Sequence, residues 1–216
     1  MKSYRWVEGT ILTLFSVQIL TAFLIYSSLP EMMPTHWNIR GEVDGYMTKL
    51  WGLSFHIMLN IGLYFFLIAA SFIDPKGKMA QFRTTYNQIR LALHMLLFII
   101  FFIFIANGIG YKISVDRTMP ALISLLIIYL GNFMGKVQPN YFVGIRTPWT
   151  LEDPVVWKKT HRISGPVWIA AGVIGLIGSW HGGVWAFVFF SGAIFIACVF
   201  SVWYSWHCYK AVRHNQ

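Results

Sequence analysis

The sequence predicts an all-α, polytopic membrane bundle of six transmembrane helices with both termini in the cytoplasm. Three observations carry this expectation. Of 216 residues, 56% are hydrophobic and 12% charged, and the mean hydropathy is +0.57, a balance that does not suit a water-soluble chain. The apolar runs recur along the whole sequence, so a leader peptide on a soluble body does not explain them. Each run exceeds the roughly ten residues of a barrel strand and lacks the alternation such a strand needs.

The first run, 7–29, is apolar apart from Glu8 and Gln18 and ends at Pro30, which cannot continue a helix in register. A polar stretch, 31–50, leads to a second run, 51–73, closed by Asp74 and Pro75. Lys76, Lys78, Arg83 and Arg90 fill a basic connection before a third run, which starts near Leu91 and fades at Asn107 and Gly108. A short loop, 111–118, precedes run four, 119–135, which is at the lower limit of crossing length. The polar segment 136–163 follows it. Runs five and six, 165–180 and 184–208, are joined by His181, Gly182 and Gly183, and so tight a turn implies an antiparallel pair.

The side of each loop follows from the placement of Lys and Arg. With the termini and even-numbered connections inside, 13 of the 17 basic residues collect there: Lys2, Arg5, Lys76, Lys78, Arg83, Arg90, Lys136, Arg146, Lys158, Lys159, Arg162, Lys210 and Arg213. Only Arg40, Lys49, Lys112 and Arg117 remain outside, so the positive-inside rule puts the termini in the cytoplasm and loop 30–50 outside. The net charge of +9 is then mostly topology, and the inner basic surface suits anionic lipid or an acidic protein face better than nucleic acid. Cys198 and Cys208, about 15 Å apart along one helix, are too distant to bridge and read as packing residues. Gly131 with Gly135, and Gly178 with Gly182, let backbones approach within the bundle.

Two polar segments go beyond what topology requires. The outer loop carries His36, Trp37, Asn38, Asp44, Gly45 and Tyr46, with Asp44-Gly45 expected as a tight turn and Trp37 and Tyr46 at headgroup level. His36, Glu31, Glu42 and Asp44 have the residue types of a metal or acid-base site but no recognised ligand spacing, so the loop reads as a folded cap whose outward surface is a binding face. In the inner segment, Thr150 or Asp153 is the expected cap of a short interfacial helix over 154–162, with Pro154 at its first position. Trp157 and His161 would share one face of that helix and Lys158 and Arg162 the next. A cluster of Asn132, Asn140, Gly144, Arg146, Thr147, Pro148, Trp149, Trp157, Thr160 and His161 is the candidate inner site, with the Arg146 fork satisfied by Asn140 and backbone carbonyls.

The inner segment, with Gly131, Asn132, Pro139 and Asn140, the run Gly144 to Leu151, then Trp157, Thr160 and His161, resembles the signature segment of the SdpI family. These are bacterial membrane proteins named for immunity to a secreted killing peptide. The outer loop, with residues 34–38, Gly41, Asp44, Gly45, Tyr46 and Lys49, is similar to a domain of uncharacterised function that commonly precedes that segment. The resemblance implies a multi-pass protein of the bacterial cell membrane that protects against a toxic peptide outside and recruits a repressor protein inside. It also suggests three regions: a hairpin over 1–73, a connection with the third helix over 74–118, and the SdpI-like part over 119–216. The alternative is a transporter of small molecules, lipids or peptides. For that, Gln18, Asn60, Asn107 and Asn132 are the available mid-span polar groups, with no deep acid beside them and His94 read as interfacial. No catalytic motif, cofactor site or metal-ligand pattern stands out, so an enzyme is not expected.

Overall fold

The computed structural model describes residues 5–214. Six of its helices are long and apolar enough to cross a membrane: α1 (Arg5–Ile25), α2 (Lys49–Ile73), α3 (Arg83–Gly108), α4 (Val115–Met134), α6 (Pro154–His181) and α7 (Gly183–Arg213), with a short α5 (Pro148–Glu152) before α6. Their outer faces are built for lipid. Phe23, Phe72 and Trp180 are each at least 80% exposed, which water would penalise and hydrocarbon does not. Tryptophans mark two levels: Trp51, Trp180 and Trp185 at one end, Trp6, Trp203 and Trp206 at the other, all exposed. Along α7 the two levels lie about 30 Å apart, the thickness of a bilayer's hydrocarbon core.

The helices form two groups of three. In the first, α3 packs against both α1 and α2; in the second, α6 packs closely on both α4 and α7, and the groups meet chiefly where α3 touches α4. Small residues explain the closeness of the second group. A side chain on Gly131 would run into the Gly165 carbonyl at 3.0 Å, and one on Gly172 into the Ser124 carbonyl at 2.8 Å. Gly178 lies under Phe189 in the same way, whereas Gly182 ends α6 in the left-handed region at φ 70°. Cys198 faces outward and Cys208 is buried, both as free thiols.

Several expectations require correction. Loop 30–50 contains an antiparallel hairpin, β1 (Met32–Trp37) and β2 (Val43–Thr48). Its turn falls at Asn38–Glu42, not at Asp44-Gly45, which lies within β2. Asn38 makes the turn: its side-chain oxygen accepts from the Arg40 and Glu42 amides, and Gly41 follows at φ 78°. The third span starts at Arg83 rather than Leu91, so Arg90 lies inside α3 and not in a loop. No separate interfacial helix spans 154–162, because α6 runs unbroken from Pro154 past Pro166. Pro166 forfeits only the bond to the Arg162 carbonyl. Lys2, part of the charge tally, lies outside the described residues.

Candidate functional site

At the end of the bundle bearing the α4–α5 connection, Asn140 organises the backbone. It is fully buried, donates from Nδ2 to the Gln138 and Val143 carbonyls at 2.8 and 2.9 Å, and accepts at Oδ1 from the Phe142 and Val143 amides. One side chain thus satisfies four backbone groups that no regular structure serves. The loop is then pinned to helices on three sides. Asp74, at the end of α2, accepts from the Tyr141 amide at 3.0 Å, and Lys76 donates to the Leu151 carbonyl. Trp157 Nε1 donates to the Val137 carbonyl at 2.8 Å.

Trp157 and His161 stack one turn apart on α6, ring centroids 4.0 Å apart, and both are buried. The Ile145 amide donates to His161 Nε2 at 2.9 Å, while His161 Nδ1 lies 2.9 Å from the Trp157 carbonyl. A ring that accepts at Nε2 and donates at Nδ1 is the neutral Nδ1–H tautomer. Gly144 makes this approach feasible, for at φ 111° its backbone passes over the stacked rings with no side chain between. Thr147 caps α5 by accepting from the Thr150 amide, and the Thr150 hydroxyl returns to the Thr147 amide. Thr147 also donates to Ser205 of α7 at 3.0 Å, and Asp153 caps α6. Asp153 is therefore the cap of the following helix, and Thr150 is not.

The structure brings Asn140, Gly144, Thr147, Trp157, Thr160 and His161 into one locality, though the buried Thr160 hydroxyl has no partner among the described residues. Other expected members stand apart. Asn132 is exposed and bonds the Ile128 carbonyl of its own helix. Arg146 is exposed and donates to the Tyr141 carbonyl at 2.5 Å, so Asn140 does not receive its fork. Pro148 opens α5 at the surface, and Trp149 is half-buried there. Lys158, Lys159 and Arg162 present an exposed basic face.

At the opposite end, the hairpin leans over a cavity of about 500 Å³. The walls come from both helix groups, with Phe104 of α3, Met119 of α4 and Phe187 of α7 among them. His36, Trp37 and Asn38 of the hairpin, His56 and Asp116 form its polar rim, an apolar hollow with few oriented polar groups. Asp44, Gly45 and Tyr46 are on the far strand: Asp44 holds His36 Nδ1 at 2.5 Å, Gly45 lies against His36, and Tyr46 is 59% exposed. Asp116 braces the rim by accepting from the Gly183 amide at 2.7 Å and packing under Gly41. His36 and Asp44 alone do not make a metal centre, and no group of three such side chains converges among the described residues.

A third feature was missed. Arg90, 5% exposed, forms a two-pronged ion pair with Glu8 at 2.6 and 3.2 Å and donates to Asn87; Tyr64 also donates to Glu8. Deeper in the same group, Asn60 donates to Gln18 at 2.8 Å and accepts from His94 Nδ1 at 2.6 Å, all three fully buried. His94 is thus core and not interfacial. The identities of Gln18 and Asn60 hinted at this, but their convergence on His94 needs the tertiary fold. The Asn107 side chain donates to the Ile103 carbonyl of its own helix.

Fold and site define a multi-pass α-helical cell-membrane protein with a pinned polar loop at one end and a hairpin-capped cavity at the other. Residues 136–205 match the model of the SdpI/YfhL protein family, and residues 13–61 match a domain of unknown function, DUF1648. The chain is 25% identical over 200 residues to the Immunity protein SdpI of Bacillus subtilis (strain 168), covering 93% of this chain and 94% of that protein. No solved structure matches. The segment that matches the SdpI/YfhL model takes in the pinned loop, α5, α6 and most of α7.

Proposed function

We propose that this protein is a membrane immunity and signalling protein that protects against a secreted antimicrobial peptide and recruits a cytoplasmic repressor. The observation that carries the reading is the match, nearly end to end, to a protein named for immunity. The cavity under the hairpin supports a peptide ligand: it is apolar, rimmed by His36, Trp37 and Asp116, and large enough for bulky side chains. With the termini in the cytoplasm, that cavity faces outward and the basic face of Lys158, Lys159 and Arg162 faces inward. The two sites then serve different partners, coupled through the helices.

The test separates the two outputs in cells challenged with the peptide. Trp37→Ala and Asp44→Ala should weaken the response to peptide while the protein stays inserted. Lys158→Ala with Lys159→Ala should weaken repressor recruitment and spare protection. If every well-inserted variant lost both outputs together, or neither, a receptor with two separate faces would have to be abandoned.

A further inference from the structure

Between the two helix groups, at the end carrying loop 136–147, lies an apolar cavity of about 420 Å³. Leu63 and Leu67 of α2, Ile89 and Leu93 of α3, and Leu130 and Met134 of α4 form much of its wall. Phe142, Val143, Gly144 and Ile145 of the pinned loop close it on one side. Beside it is a polar recess of about 290 Å³, bounded by residues 80–85 and Lys136. The two hollows share a seam. Thr85, Ile89 and Leu93 recur every fourth residue on one face of α3, so recess and cavity are about one helical turn apart. Lys136 borders the recess, and its neighbour Val137 borders the cavity.

The recess has the chemistry of an anion site. Lys136 and Arg83 line it, no carboxylate does, and it sits at the positive end of the α3 dipole, which no side chain caps. Thr85 supplies an independent sign: it is only 7% exposed, lines the recess, and its hydroxyl has no hydrogen-bond partner among the described residues. Its hydroxyl borders the recess, where a phosphate oxygen could accept from it. The neighbouring cavity adds the second half of the ligand. A soluble anion has no use for an apolar hollow at membrane depth, whereas a lipid carries its phosphate and its hydrocarbon in that order from the surface inward.

We propose that this seam binds one anionic phospholipid, its phosphate held by Lys136, Arg83 and Thr85 in the recess and one acyl chain lying in the cavity between α2, α3 and α4. The lipid would join the two helix groups beside the contact of α3 with α4. The test titrates the full-length protein in detergent micelles with phosphatidylglycerol, phosphatidylcholine or inorganic phosphate, and counts retained molecules by native mass spectrometry. One phosphatidylglycerol should be retained at least about fivefold more tightly than phosphatidylcholine, the value of one basic residue at an anionic surface. Lys136→Gln and Thr85→Val should each reduce that retention without lowering the melting temperature. Dihexanoyl phosphatidylglycerol, whose chains are too short to fill the cavity, should bind more than tenfold more weakly than the long-chain lipid. Equal retention of the two headgroups, or an indifferent Lys136→Gln, would overturn the proposal. So would inorganic phosphate displacing the lipid, or the short-chain lipid binding as tightly as the long one, since the site would then hold an anion alone.

Discussion

Gly144→Ala places a methyl group at the most tightly constrained point of the inner loop. The added carbon would meet His161 Nε2 and come within 3.2 Å of Trp157 Cζ2, on a backbone at φ 111°. If the loop stays in place, the unfavourable backbone costs about 1–3 kcal/mol and displacing the stacked rings about another 1–3 kcal/mol. If it withdraws instead, the Ile145 N–H to Nε2 bond breaks and leaves a buried acceptor unsatisfied, at about 1–3 kcal/mol. These routes are alternatives, so the expected loss is about 1–3 kcal/mol, set by the cheaper one. The assay is amide hydrogen exchange on purified protein in micelles, read peptide by peptide alongside thermal melting. Exchange across 141–147 should rise by more than about tenfold, the equivalent of 1.4 kcal/mol, while peptides from α1 to α3 stay unchanged. Adding His161→Ala removes one obstacle but also the acceptor of the Ile145 amide, so the double variant should exchange no more slowly than Gly144→Ala. Unchanged exchange in Gly144→Ala would refute the claim that Gly144 is required for the loop's approach to His161.

Two further outcomes follow from the structure. Glu8→Ala leaves Arg90 buried with the Asn87 hydrogen bond and the Tyr64 ring beside it; because Glu8 is itself 38% exposed, the cost should be about 1–3 kcal/mol, below that of a fully buried pair. It should appear as a lower melting temperature that Arg90→Leu partly restores, and an unchanged melt in the single variant would count against the pair. For the orientation, in a chain lacking Cys198 and Cys208, a cysteine at position 48 should react with an impermeant reagent from outside and one at position 78 only from the cytoplasm; the reverse would invert the topology.

The spans were legible because lipid demands apolar side chains over about 20 residues whatever the fold. What surrounds them was less so. Arg83 to Arg90 read as a connection because charge usually means water, yet Arg90 is buried by a partner 82 positions earlier, and no local pattern announces so distant a pairing. The hairpin was hidden because its strands bury almost nothing: of β1 only Met33 is fully covered, seated against Gly108, so the alternation that marks a strand is weak. In the inner segment the residues carried more. Asn140, Gly144, Thr147, Trp157 and His161 were all singled out from the sequence, and each makes a contact specific to its chemistry. Arg146 was singled out for its fork of donors, and there the exposed side chain, bonded to the Tyr141 carbonyl, departs from the expectation that Asn140 receives it.

The buried polar chain of the first helix group bears on how the protein is made. Glu8, Gln18, Asn60, Tyr64, Arg90 and His94 all lie on α1, α2 and α3, and their mutual bonds need no residue of α4 to α7. A ribosome delivers these three helices first, and a lone Arg90 or His94 would be costly to leave in hydrocarbon. When α3 arrives, Glu8 and Asn60 are already in the membrane to receive it. The N-terminal three helices can therefore close as a unit during synthesis, before the glycine-lined helices that follow have emerged to pack among themselves.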